Sequence, residues 1–110
     1  MIFKESYLKS GTVIIDGTDD SHTLYEINSL ERAKVLDMTI TERAKAPFVG
    51  KLEANIYLVC CSLRPGIDDS DFDFEKIKAE LHAMPDRILT KLVSKAMEQS
   101  GFYEDEGEGK

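Results

Sequence analysis

The chain has 110 residues and a formal net charge of −7, enough length for one modest core and too little for a large cleft between two domains. Its acidity, with a pI near 4.8, argues against nucleic acid and anionic lipid as partners, because no basic cluster is dense enough to reverse the repulsion. The first ten residues, "MIFKESYLKS", lack a secretory apolar region and the longest apolar run, residues 56–61, is too short to span a bilayer, so a soluble chain of the cytoplasm is expected.

In chain order, "TVIIDGTDDSHTLYEI" places two β-prone runs, 12–15 and 23–27, around a connector of Asp, Gly, Thr and Ser, and predicts a β-hairpin. Within the second run Tyr25 and Ile27 fall on one face and Leu24 and Glu26 on the other. Asn28 and Glu31 form a capping box, and Leu30, Ala33, Leu36 and Ile40 follow near helical spacing, which predicts a helix over about 29–45. "ERAK" occurs at 31–34 and again at 42–45, an offset that returns to nearly the same helix face; it reads as a solvated face rather than a repeat architecture.

Ala46 is turned out of helical geometry by Pro47, which can itself open the next helix. The stretch 52–63, "LEANIYLVCCSL", is apolar nearly all round after its first turn, as a helix surrounded by others must be, and "RPG" at 64–66 ends it. Cys60 and Cys61 are adjacent, which makes an unstrained mutual disulfide implausible and leaves them as reduced core residues. Ser70 with Asp73 resembles another N-terminal cap, followed by Phe74, Ile77, Leu81 and Met84. Pro85 restarts the chain, and Ile88, Leu89, Leu92, Val93, Ala96 and Met97 line one face of a last helix, with Arg87, Lys91 and Lys95 opposite and Gly101 at its close. The expected class is α+β, mainly α: an N-terminal hairpin and about four helices around a buried central one. Residues 1–103 form a single domain on this reading, and 104–110 a disordered acidic tail.

Catalytic and metal chemistry is not signalled. Asp69, Asp71, Asp73 and Glu80 match positions of a calcium loop, but Phe74 occupies the slot that needs glycine, and the acidic run is better placed as a helix N-terminus. His22 and His82 lack a third ligand at metal spacing, and neither a strained serine elbow nor a phosphate loop is present in the sequence. No cofactor is expected, and the protein is not expected to be an enzyme.

The order of these elements, with "IDG" at 15–17, "YEINSL" at 25–30, the buried "YLVCCSL", and then the closing section from Phe72 to Leu81, Pro85, Leu89, Leu92 and Ser100 to Phe102, resembles the tail assembly chaperones of long-tailed bacteriophages. The resemblance covers roughly residues 12–103. It implies a protein of the host bacterial cytoplasm that binds the long helical tape measure protein, shields its apolar stretches until tail tube subunits polymerise, and is absent from the mature virion. Many copies per tape measure are implied, and so is self-association. The hairpin residues Val13, Ile14, Ile15, Leu24 and Tyr25, with Phe102 and Tyr103, are the candidate oligomer or partner interface, since a two-stranded sheet offers open edges. Members of the family often carry a programmed frameshift whose longer product recruits the tail tube protein. Glu108, Gly109 and Lys110 can be encoded by GAG GGA AAG, which contains the slippery heptamer G GGA AAG. Two other classes compete: a small structural head-tail connector or completion protein, and a small acidic inhibitor of a host factor.

Overall fold

The computed structural model describes residues 9–14 and 21–102. A hairpin of β1 (Ser10–Ile14) and β2 (Ser21–Tyr25) precedes four helices, α1 (Ser29–Lys45), α2 (Pro47–Leu63), α3 (Phe74–Ala83) and α4 (Asp86–Gln99), with a 3-10 turn at Arg64–Gly66 after α2. The class is therefore α+β, mainly α. The predicted strand residue Ile15 and the predicted tail, 104–110, lie outside the described residues.

The strands pair antiparallel, with Gly11 opposite Leu24 and Val13 opposite His22. Because side chains alternate across a strand, this register sets Val13 and Leu24 on one face, and that face covers α2 and α4. The expected alternation places Leu24 and Tyr25 on opposite faces, as observed. Leu24, at 0% exposure, is the core residue, while Tyr25 lies on the opposite face and stays half-buried. Ile27 is buried too, but β2 has already ended at Tyr25, so Ile27 reaches the core from the connector.

α1 begins at the capping box read from the sequence: the Glu31 amide donates to Asn28 Oδ1 at 2.8 Å and the Asn28 amide donates to Glu31 Oε1 at 3.0 Å. It ends at Ala46, whose extended backbone precedes Pro47, the first residue of α2. The two helices form a close helical hairpin. Gly50 makes this possible, since a Cβ there would stand 2.2 Å from the Glu42 carbonyl carbon and oxygen, nearer than atoms can pack.

α2 is the central element, packed against α1, α3, α4 and β2. Ala54, Ile56, Leu58, Val59, Cys60 and Cys61 are buried along it. Its one buried hydroxyl is put to use, for Ser62 Oγ donates to the Tyr25 carbonyl at 2.6 Å and so ties the end of β2 to the core. α3 lies across α2 through Leu81 and the Phe74 ring, 6.0 Å from that of Tyr57. The cap of α3 is Asp73, which accepts from the Lys76 amide at 3.2 Å. Ser70, read as part of that cap, sits one turn earlier in the connecting loop. α4 buries Leu89, Leu92, Val93 and Ala96, and Gly101 follows it at φ 80°, a left-handed geometry that glycine adopts without a Cβ clash.

Candidate interaction surface

Three surface features stand out, and all involve the α1–α2 hairpin. The first is the outer face of α1. A helix returns to the same face every three or four residues, so Val35, the buried residue of α1, marks the side turned toward α2. Ala33, Leu36, Ile40 and Ala44 fall on the far side, and all four are exposed; Ile40 is 72% exposed. The stripe that predicted this helix is thus its outward face, and the helix is held by a different, narrower one. The two "ERAK" segments explain the geometry: Glu31 and Glu42 lie half-buried toward α2, while Ala33 and Ala44 lie outward. This gives α1 two faces able to pack against a helix, with only one of them used among the described residues.

The second feature is the end of the hairpin where α1 passes into α2. Phe48, in the first turn of α2, is 89% exposed, the most exposed large apolar side chain described, and Val49 beside it is also exposed. Residues 43–51 contain Arg43, Lys45 and Lys51 and no carboxylate. Lys45 Nζ lies 3.0 Å from Glu42 Oε2, so part of this positive charge is balanced within α1.

The third feature lies at the opposite end of α2. A groove of about 360 Å³ runs between the start of α1, the last turns of α2 and the loop before α3, lined by Leu30, Tyr57, Cys61, Arg64, Phe72 and Phe74. A second hollow of about 360 Å³ continues it past Glu26, Glu31, Pro65, Ile67 and Asp69. The Arg64 guanidinium lies over the Phe72 ring, 5.2 Å from its centroid. Beside the groove, residues 68–75 carry Asp68, Asp69, Asp71, Asp73 and Glu75 with no cation. At the floor, burial pushes the Cys61 thiol up to about 12, with the nearby Glu31 carboxylate adding to the rise; Cys60, buried in the core, is pushed up to about 11. Neither thiol is ionised near neutral pH, which removes them as nucleophiles.

The residues expected at an interface distribute differently. Val13 and Leu24 belong to the core, because the hairpin spends its apolar face on α2 and α4; their side chains are not available to a partner. Tyr25 is half-buried with its ring against Gly66, where a Cβ would come within 3.0 Å of it. Phe102 is half-buried under Arg32, whose guanidinium lies 4.2 Å from the ring centroid and whose Nη1 donates to the Ser100 carbonyl at 2.6 Å. Ile14, 64% exposed, retains an open apolar side chain. Ile15 and Tyr103 lie outside the described residues.

His82, taken as an ordinary surface histidine, has its Nε2 3.1 Å from Glu53 Oε1 on α2, and Lys78 Nζ is 3.7 Å from the same carboxylate. Among the described residues no group of three or more His, Cys, Asp or Glu side chains could hold a metal, and no helix is long and apolar enough to cross a membrane.

Fold and surface together define a small α+β domain that displays apolar side chains mainly on one helical hairpin, with Ile14 on the β-hairpin. Compared with protein-family models, with curated proteins and with solved structures, the chain matches none of them.

Proposed function

We propose that this protein is a tail assembly chaperone of a long-tailed bacteriophage, which binds the tape measure protein in the host cytoplasm and keeps it soluble until the tail tube forms around it. The observation that carries the reading is the exposed stripe of Ala33, Leu36, Ile40 and Ala44 on α1. Its spacing is that of one helix face meeting another, and the client expected from the resemblance is a long helix with apolar faces of its own. Small residues at both ends of the stripe let a client helix approach closely, while Leu36 and Ile40 supply the apolar contact. The acidic remainder of the surface, at net −7, keeps such a complex dispersed. A longer, frameshifted product carrying a link to the tail tube protein belongs to the same reading.

Co-expression with the tape measure gene, with a purification tag on this chain, tests the proposal. The wild-type chain should bring the tape measure into the soluble fraction and retain it, whereas Leu36→Glu with Ile40→Glu should lose it, by at least tenfold, with an unchanged circular dichroism spectrum. Retention of the tape measure by the doubly substituted chain would exclude the α1 stripe. Recovery of the chain in purified virions would favour the connector reading instead.

A further inference from the structure

The aromatic groove opens beside the exposed stripe of α1, and we propose that it anchors the client: a helix lying along Ala33, Leu36 and Ile40 sets one aromatic side chain into the groove, with a carboxylate one turn away from that residue meeting Lys34. The occupant of the groove is thus a side chain of the client helix. This inference rests on the chaperone reading and adds to it the kind of segment that is recognised.

Position and shape point to an aromatic anchor. Leu30, 64% exposed, and Lys34 form the α1 wall of the groove. Residues three or four apart are neighbours on a helix surface, so Leu30 adjoins both Lys34 and Ala33, the first residue of the stripe. A client on the stripe therefore passes the mouth of the groove within reach of one side chain. The groove holds about 360 Å³, at the lower end of the roughly 300–1,000 Å³ typical of sites that enclose an organic group. Tyr57 and Phe74 hold their ring centroids 6.0 Å apart at 58°, the tilted arrangement that aromatic rings favour, and Phe72 extends this wall beneath the Arg64 guanidinium. A further ring continues that packing, whereas an aliphatic chain would be buried without it. At the floor Cys61 stays protonated near neutral pH and sets no charge against the ring.

Charge selects among aromatic segments. The groove is lined by Lys34 and Arg64 against Glu31 alone. Glu31 is held by the capping box, its Oε1 accepting from the Asn28 amide at 3.0 Å, and Arg64 lies over Phe72. Lys34 stands on the wall that adjoins the stripe, exposed and with no ion pair among the described residues. A carboxylate three or four positions from the anchor projects from the same side of the client helix and meets it. Asp69 lines the continuing hollow and not this groove, so a client carboxylate is repelled on the loop side and attracted on the α1 side. That contrast orients the client, with its acid toward α1 and its ring toward α3.

An array of overlapping peptides from the tape measure product, each about 20 residues long and so able to cover the stripe as a helix, tests the anchor. The purified chain should retain peptides that carry Phe, Tyr or Trp with Asp or Glu three or four residues away. Replacing that aromatic residue by Ala should lower retention roughly tenfold, as for a buried aromatic anchor. Replacing the acid by Lys should lower it about threefold, the scale of one exposed ion pair. Lys34→Glu, at an exposed position where folding is retained, should reverse the second preference and hold the Lys-substituted peptide better than its parent. Leu36→Glu with Ile40→Glu should weaken all of them. Retained peptides indifferent to loss of the aromatic residue, or a Lys34→Glu chain with the wild-type preference, would overturn the anchor and leave the chaperone reading standing. Retention that falls as the chain is concentrated would show a second copy in the groove and overturn it equally. If no tape measure peptide is retained, the chaperone reading fails and the anchor with it.

Discussion

At the scale of single residues, the adjacent cysteines show how burial governs chemistry. Their place in an apolar run was legible in the sequence, because a helix that is apolar all round has no exposed side on which to put a thiol. What the sequence could not supply was the environment around them: Glu31 from α1 and the Tyr57 hydroxyl both reach Cys61. Thiols raised in the folded state favour folding while they stay protonated in both states. That contribution is complete below 9.0, their ordinary value, and is lost as pH rises from there toward about 11 for Cys60 and about 12 for Cys61, since the unfolded chain ionises first. The urea midpoint should therefore fall across this window, and fall less steeply in Cys61→Ala. Equal slopes in the two proteins would show that Cys61 has no part in it. Leu24 illustrates the opposite case. Strand alternation was legible, but the phase of the alternation depended on where β2 ends and what it meets, and α2 and α4 fixed both.

The elements show the same division. The capping box of α1, the Pro47 start of α2 and the Gly101 close after α4 follow from local chemistry and could be read in advance. The direction in which α1 turns its apolar stripe is a tertiary fact. Periodicity reports that a helix has an apolar face and does not say which neighbour covers it; here Val35 and the half-buried Glu31 and Glu42 face α2, and Leu36 and Ile40 face outward. The role of Gly50 is not legible in the sequence, because a helix-interior glycine has no local signature of close packing. It is the position where α2 meets the α1 backbone, with Glu42 carbonyl atoms 2.2 Å from the place a Cβ would take. Elsewhere a glycine-to-alanine change inside a helix stabilises by roughly 0.5–1 kcal/mol. At Gly50 the sign should reverse: Gly50→Ala should cost on the order of 1–3 kcal/mol, read as a melting temperature lower by several degrees. A melting temperature equal to or above the wild type would mean that the hairpin opens without cost.

For the whole molecule, the division of labour among its parts carries the functional reading. The β-hairpin turns Val13 and Leu24 into the core and leaves Ile14 exposed, while the α1–α2 hairpin displays Leu36, Ile40, Phe48 and Val49. Leu36 and Ile40 on one side of it suit a helical client. The most direct measurement places a photo-crosslinking residue at Ile40 in cells that express the chain with its neighbouring genes. The tape measure product should be the main species captured there, with little capture from the same residue placed at Thr12. Capture of a host enzyme or a head protein at Ile40 instead, with no tape measure product, would contradict the chaperone role.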